Sequence, residues 1–199
     1  MKKTILSIAI VAVGLLGASC GNKPSTSNAE ASDSEKQQTE QTEQAAGAEG
    51  FKTHEFNNFS ISVPEEFTTS SDASSDFTSF SSEATLKLDN GEETTSSAHI
   101  DASFMSDGAK PAQAKETAAT MKSSQEAAGE TCDEPVIDGN IILMRHYHDS
   151  GEGYKVITWR WWIVSEDGKN VAGNIYYPET QAKYYDAIVT PMVKSIKIK

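Results

Sequence analysis

From Gly21 to Gly50 the chain runs without one Val, Ile, Leu, Met or aromatic side chain, and all sixteen aromatic residues of the 199-residue chain follow Gly50. A stretch with no core-forming side chains cannot offset the backbone entropy that folding costs, roughly 1–2 kcal/mol per residue. Residues 21–50, rich in Ser, Thr, Gln and Glu with six acids against two bases, therefore read as a disordered, solvated leash. As a flexible coil its ends would lie about 30 Å apart. Folding is confined to residues 51–199, a length that buries about two-thirds of its surface and sustains one domain.

What precedes the leash explains its use. Met1-Lys2-Lys3 is a short basic start, Ile5 to Ala18 is apolar or small apart from Ser7, and Gly17-Ala18-Ser19-Cys20 closes the run with small residues. That pattern is a secretory signal, too short for a permanent span of about 20 residues. With a cysteine at the boundary, it resembles the relaxed lipobox of Bacteroidetes-type lipoproteins, with Gly17 where the pattern usually has Leu. The resemblance implies cleavage before Cys20, acylation of its thiol and stable attachment through several acyl chains. The other reading is ordinary secretion with cleavage after Ser19. Gly21-Asn22-Lys23 brings none of the early acidic cluster that resembles the surface-export signal of some such bacteria, and within that resemblance its absence favours the periplasmic side of an outer membrane. The expected organisation is thus signal peptide 1–19, lipidated Cys20 and leash to residue 50, domain 51–199.

Within the domain, residues 51–63 read as a hairpin turning at Asn57-Asn58. Phe59, Ile61 and Val63 alternate along its second strand, which Pro64 ends. Residues 68–83 read as a polar loop anchored by Phe77 and Phe80. Short strands follow at 84–88 and 98–105. Pro111 opens a helix to about Ala128 whose Ala114, Ala118 and Met121 form a narrow, flat apolar stripe. A meander of three strands comes next, at 141–148, 154–164 and 171–177, with Asp167-Gly168 as a hairpin signal. Pro178 opens a second helix with Tyr185, Ile188, Val189 and Met192 on one face; Pro191 should kink or fray its last turn. Residues 195–199 form a last strand. The order predicts an α+β fold, an antiparallel sheet flanked by helices in an α/β/α sandwich.

This arrangement resembles the PsbP-like and Mog1-like fold. Phe59-Ser60-Ile61-Ser62-Val63-Pro64-Glu65-Glu66-Phe67 is similar to that family's FGFSISYPEDW opening, with Phe67 replacing the Trp. Asp138-Gly139 before the meander and Lys194-Ser195-Ile196-Lys197-Ile198 at the end carry the rest. These are packing motifs. What the resemblance implies is a binding or assembly scaffold rather than an enzyme.

The residues themselves offer little catalytic chemistry. There is no HExxH, GxSxG, P-loop or GxGxxG. Cys132 lies beside Asp133 and Glu134, whose charges oppose a thiolate. His146 and His148 share a strand face, as do His99 and Asp101, the two pairs being weak candidates for a metal that would need their strands side by side. Trp159 and Trp161 face one way; Arg160 and Trp162 face the other. The preferred reading is a central strand buried on both sides. If one tryptophan opens to solvent it is Trp162 beside Arg160, with Tyr176 and Tyr177 bordering the surface. An excess of acids, 29 against 17 bases, argues against a nucleic-acid partner. The expected function is a non-catalytic, membrane-tethered periplasmic module without cofactor that binds an envelope protein or small ligand. The alternative is a metal or small-ligand carrier using the histidine strand.

Overall fold

The computed structural model describes residues 50–151 and 153–199. The signal segment, Cys20 and the leash up to residue 49 lie outside the described residues. In chain order the elements are β1 (Phe51–Glu55), β2 (Phe59–Pro64), β3 (Phe67–Thr68), β4 (Phe77–Ser82), β5 (Thr85–Lys87), β6 (Glu93–Thr95), β7 (His99–Met105), α1 (Ala114–Ala127), β8 (Thr131–Cys132), β9 (Val136–Asp138), β10 (Ile141–Asp149), β11 (Lys155–Ile163), β12 (Asn170–Pro178), α2 (Ala182–Lys194) and β13 (Lys197–Ile198). A 3₁₀ turn precedes each helix, at Pro111–Gln113 and Glu179–Gln181.

The main sheet has the order β3-β4-β7-β12-β11-β10-β8, and β9 also pairs with β10. Every pairing is antiparallel. Period-2 alternation divides its side chains cleanly. On one face Phe80, Ile100, Ile175, Trp161 and Tyr177 are buried to 2% exposure or less. They meet α2, through Tyr185, Val189, Met192 and Val193, and a second, three-stranded sheet of order β1-β2-β13. Burying side chains of this size stabilises by roughly 1.5–3 kcal/mol each. On the other face, Ala114, Ala118 and Met121 of α1 pack on Ile142 and Met144 of β10 and on Val164. The helices thus cover opposite faces, the expected α+β sandwich.

Several details depart from the sequence expectation. The Phe51–Pro64 hairpin does not join the main sheet; it pairs with β13 in its own sheet, and every residue of β2 is buried. Phe77 and Phe80 anchor no loop: they belong to β4, which pairs with β7 and buries Thr78, Phe80 and Ser82. Asp167-Gly168 is not a two-residue hairpin turn. Residues 164–169 connect β11 to β12, closed by a turn in which Gly168 N donates to Ser165 O at 3.1 Å. α2 continues past Pro191 to Lys194.

One glycine is required by packing. Gly173 of β12 lies opposite Trp161 of β11, and a Cβ there would stand 2.5 Å from the indole Cζ2 and 2.1 Å from the Asp101 carbonyl oxygen. The tryptophan ring occupies the space that a side chain at 173 would need.

Candidate binding groove

β11 is the middle strand of the meander, between β12 and β10, and its three tryptophans serve different ends. Trp161 is wholly buried in the core. Trp159 is half-buried on the same face, and its Nε1 donates to Asp186 Oδ1 of α2 at 2.8 Å. Trp162 faces the other way. It is half-buried and packs at the margin of the small cluster beneath α1.

α1 docks over the β10 side of that face, because its apolar stripe is only two alanines and a methionine wide. The β12, β7 and β4 side carries small and polar groups: Ala172 and Asn174, Asp101 and Ser103, Ser79. Where the helix stops, two cavities open. One, of about 340 Å³, has Asp101, Ser103 and Asn174 on its floor and Phe77 at its far end. The other, of about 410 Å³, runs beneath the polar side of α1, past Glu116, Thr117 and Thr120. They share Met121, Arg160 and Trp162.

Cross-strand pairing sets the floor in rows. Asp101, Asn174, Arg160 and Met144 lie opposite one another on β7, β12, β11 and β10. Asn174 Nδ2 donates to Asp101 Oδ2 at 3.4 Å. In the next row His99 stacks on Tyr176, ring centroids 5.2 Å apart at 19°. Burial, then the Asp101 charge, holds the Tyr176 phenol above its usual range. Among the described residues no carboxylate comes within salt-bridge distance of the half-buried Arg160. The buried Trp162 Nε1 has no hydrogen-bond partner among the described residues.

Of the four residues expected on this surface, Trp162, Arg160 and Tyr176 lie on one face. Tyr177 does not: it is 1% exposed on the core face, where its hydroxyl donates to Asp186 Oδ1 at 2.6 Å. Adjacent strand residues point to opposite sides, so Tyr176 and Tyr177 cannot both border one surface. Sequence reasoning also missed Met121, Phe77 and Asn174. The period-2 run of small and polar residues at Ala172 and Asn174 was the available signal for an uncovered face.

The histidines do not assemble. His99 on β7 and His146 on β10 share a face but stand three strand steps apart, about 14 Å at the usual spacing. His146 is 4% exposed and its Nδ1 bonds the Glu130 carboxylate. Burial nonetheless draws its pKa below the ordinary value, outweighing Glu130. His148 is exposed at the strand end. No group of three or more His, Cys, Asp or Glu among the described residues is placed to hold a metal ion. Cys132 lies opposite His146 on β8, but its thiol contacts the Lys122 carbonyl at 4.0 Å. Burial, then Glu126 and Glu130, pushes the thiol pKa up, the opposite of nucleophile activation.

No protein-family profile matches the chain, and no curated protein is similar to it in sequence. Solved structures are similar in fold. The Saccharomyces cerevisiae Ran-binding protein Mog1p is 12% identical with a TM-score of 0.53, over 74% of this chain and 95% of that one. A point mutant of Mog1 is 11% identical with a TM-score of 0.53, over the same shares of the two chains. The fold is Mog1-like.

Proposed function

We propose that this chain is a non-catalytic binding module, held at the periplasmic face of a bacterial outer membrane by lipid on Cys20, and that it takes an envelope protein or ligand in the groove around Trp162 and Arg160. One observation carries the reading. An arginine with no counter-ion among the described residues stands beside a half-buried tryptophan, on a sheet face that α1 leaves half uncovered. Tryptophan and arginine are the side chains most enriched at the energetic centres of protein interfaces. Mog1p, similar in fold alone, is by its description a Ran-binding protein; a partner of another kind is proposed here. The thirty-residue leash supplies reach between anchor and domain.

Crosslinking of the tethered protein in its native cells, wild type beside Trp162→Ala, tests the groove: the partner captured by the first should be lost from the second. Equal capture by both would place the surface elsewhere. The anchor is tested separately by intact mass. An unmodified Cys20 or Gly21 terminus on the membrane-bound protein would refute lipidation. The carrier alternative is not favoured, because His99 and His146 stand on strands separated by two others.

A further inference from the structure

We infer that the groove receives a protein segment through one of its carboxylate side chains, which Arg160 engages. The inference rests on the groove being the binding surface and adds the chemistry of what fills it.

The chain has two arginines, both beside tryptophans in the meander, and they are treated oppositely. Arg145 faces the core side, with Asp186 at 3.7 Å, Asp133 at 3.8 Å and the Trp159 ring at 6.0 Å. Arg160, on the neighbouring strand and the opposite face, has none of these. A guanidinium presents a planar fork of donors that matches a carboxylate in two parallel hydrogen bonds, and partial burial strengthens such a pair. Nothing in the described domain supplies that acceptor to Arg160, so an incoming group can.

The surroundings select among carboxylates. Asp101 stands one residue beyond Asn174 in the same row, and Glu116 lines the helix wall. With an overall charge of -12, these acids repel a polyanion. A single carboxylate flanked by uncharged groups fits instead. The flanks are apolar on the protein side too: Trp162 and Met121 lie beside Arg160, and Phe77, 51% exposed, closes the far end. Phe77 and Trp162 occupy one cross-strand row, three strand steps and about 14 Å apart. An extended peptide covers that span in about four residues. A lone small acid would leave most of the two adjoining cavities empty. The fitting occupant is therefore a short segment of a protein surface, one Asp or Glu with an aromatic or large aliphatic neighbour.

The test uses a display library of random twelve-residue peptides selected on the full-length chain, followed by affinities of the recovered peptides by fluorescence anisotropy. The expected result is a shared single acid next to an apolar residue. Changing that acid to its amide should weaken binding roughly tenfold. Arg160→Gln should weaken the acid peptide to the same degree and leave the amide peptide unaffected. Thermal unfolding of the variant checks that its fold is intact. Peptides that depend on Trp162 but carry no acid, or whose acid-to-amide loss persists in Arg160→Gln, overturn this inference while the groove reading stands. Recovered peptides with several acids overturn it as well. Peptides indifferent to both Trp162→Ala and Arg160→Gln, or a library that yields no binder, overturn the inference and the groove reading together.

Discussion

Removing the Asp186 carboxylate should loosen the joint between α2 and the main sheet. Its Oδ1 accepts the Tyr177 hydroxyl at 2.6 Å and the Trp159 indole N–H at 2.8 Å, and the Arg145 Nε lies at 3.7 Å. Two hydrogen bonds from β12 and β11 and one ion-pair contact from β10 thus meet on a single oxygen, tying the helix to three adjacent strands. A hydrogen bond to a charged acceptor contributes about 1.5–3 kcal/mol. The Asp186 side chain is 40% exposed, so solvent screens the charge and the low end applies. Asp186→Ala should cost about 2–3 kcal/mol, because a buried phenol and an indole N–H are left without their acceptor. Asp186→Asn keeps an acceptor oxygen and should cost about 1 kcal/mol. Urea unfolding followed by tryptophan fluorescence measures both, and the alanine variant's melting temperature should fall by about 5–10 °C. On a Tyr177→Phe background the same alanine change should cost clearly less, since the two groups share one bond. A loss below about 1 kcal/mol, or an equal loss on both backgrounds, would refute the account. The network also has a pH signature. Burial, then Asp186, holds the Tyr177 phenol far above its ordinary value of 10.0. The folded state therefore keeps a proton that the unfolded state releases, and this share of stability, full below pH 10, is lost as pH rises beyond it.

Gly173→Ala should destabilise by about 3 kcal/mol or more, since neither the Asp101 carbonyl nor the packed Trp161 ring has room to move; a urea-measured loss under about 1 kcal/mol would show that the sheet yields there. Burial holds His146 and His54 below their ordinary 6.5, against the pull of Glu130 on His146 and with the aid of Arg160 and His148. The unfolded chain then takes up protons that the folded one refuses, so stability is full above pH 6.5 and falls as the pH drops below it. His146→Gln should flatten that fall in urea midpoints between about pH 7.5 and 5, and an unchanged profile would assign it to other groups. Cys132, in a Cys20→Ser chain, should react with a disulfide reagent more slowly than free cysteine at the same pH; faster reaction would contradict the raised thiol pKa. Deleting residues 21–50 should change unfolding free energy by less than about 1 kcal/mol, and a larger loss would mean that they pack on the domain.

The elements with strong periodicity were legible. β2, β7 and the three meander strands alternate apolar and polar groups or carry bulky residues on both sides, and both helices show their stripes. β4 was not, because its buried positions Thr78 and Ser82 are polar and only Phe80 signals a core. Which sheet a strand joins was not legible either. The β1–β2 hairpin is specified locally, but its partner β13 lies at the far end of the domain, and no local pattern encodes that choice. At the groove, Arg160 and Trp162 followed from alternation along one strand. The same alternation separates Tyr176 from Tyr177, placing them on opposite faces of β12. The groove's walls depend on how far a narrow helix reaches across a sheet, which is a tertiary outcome.

The pairing of β13 with β2 bears on how the domain folds. Lys197 meets Ser60 and Ile198 meets Phe59, so the small sheet is closed by residues from opposite ends of the domain. Contacts of such high sequence separation form late, since a long loop must close before they bring any gain. Until then β2, whose residues are all destined for burial, is paired on one side by β1 and open on the other. An open apolar edge is a template for pairing with another chain. The interval before the last strand docks is therefore when this protein most needs isolation from its own copies, and variants that weaken β13 should show themselves first as aggregation during refolding rather than as a lower melting temperature.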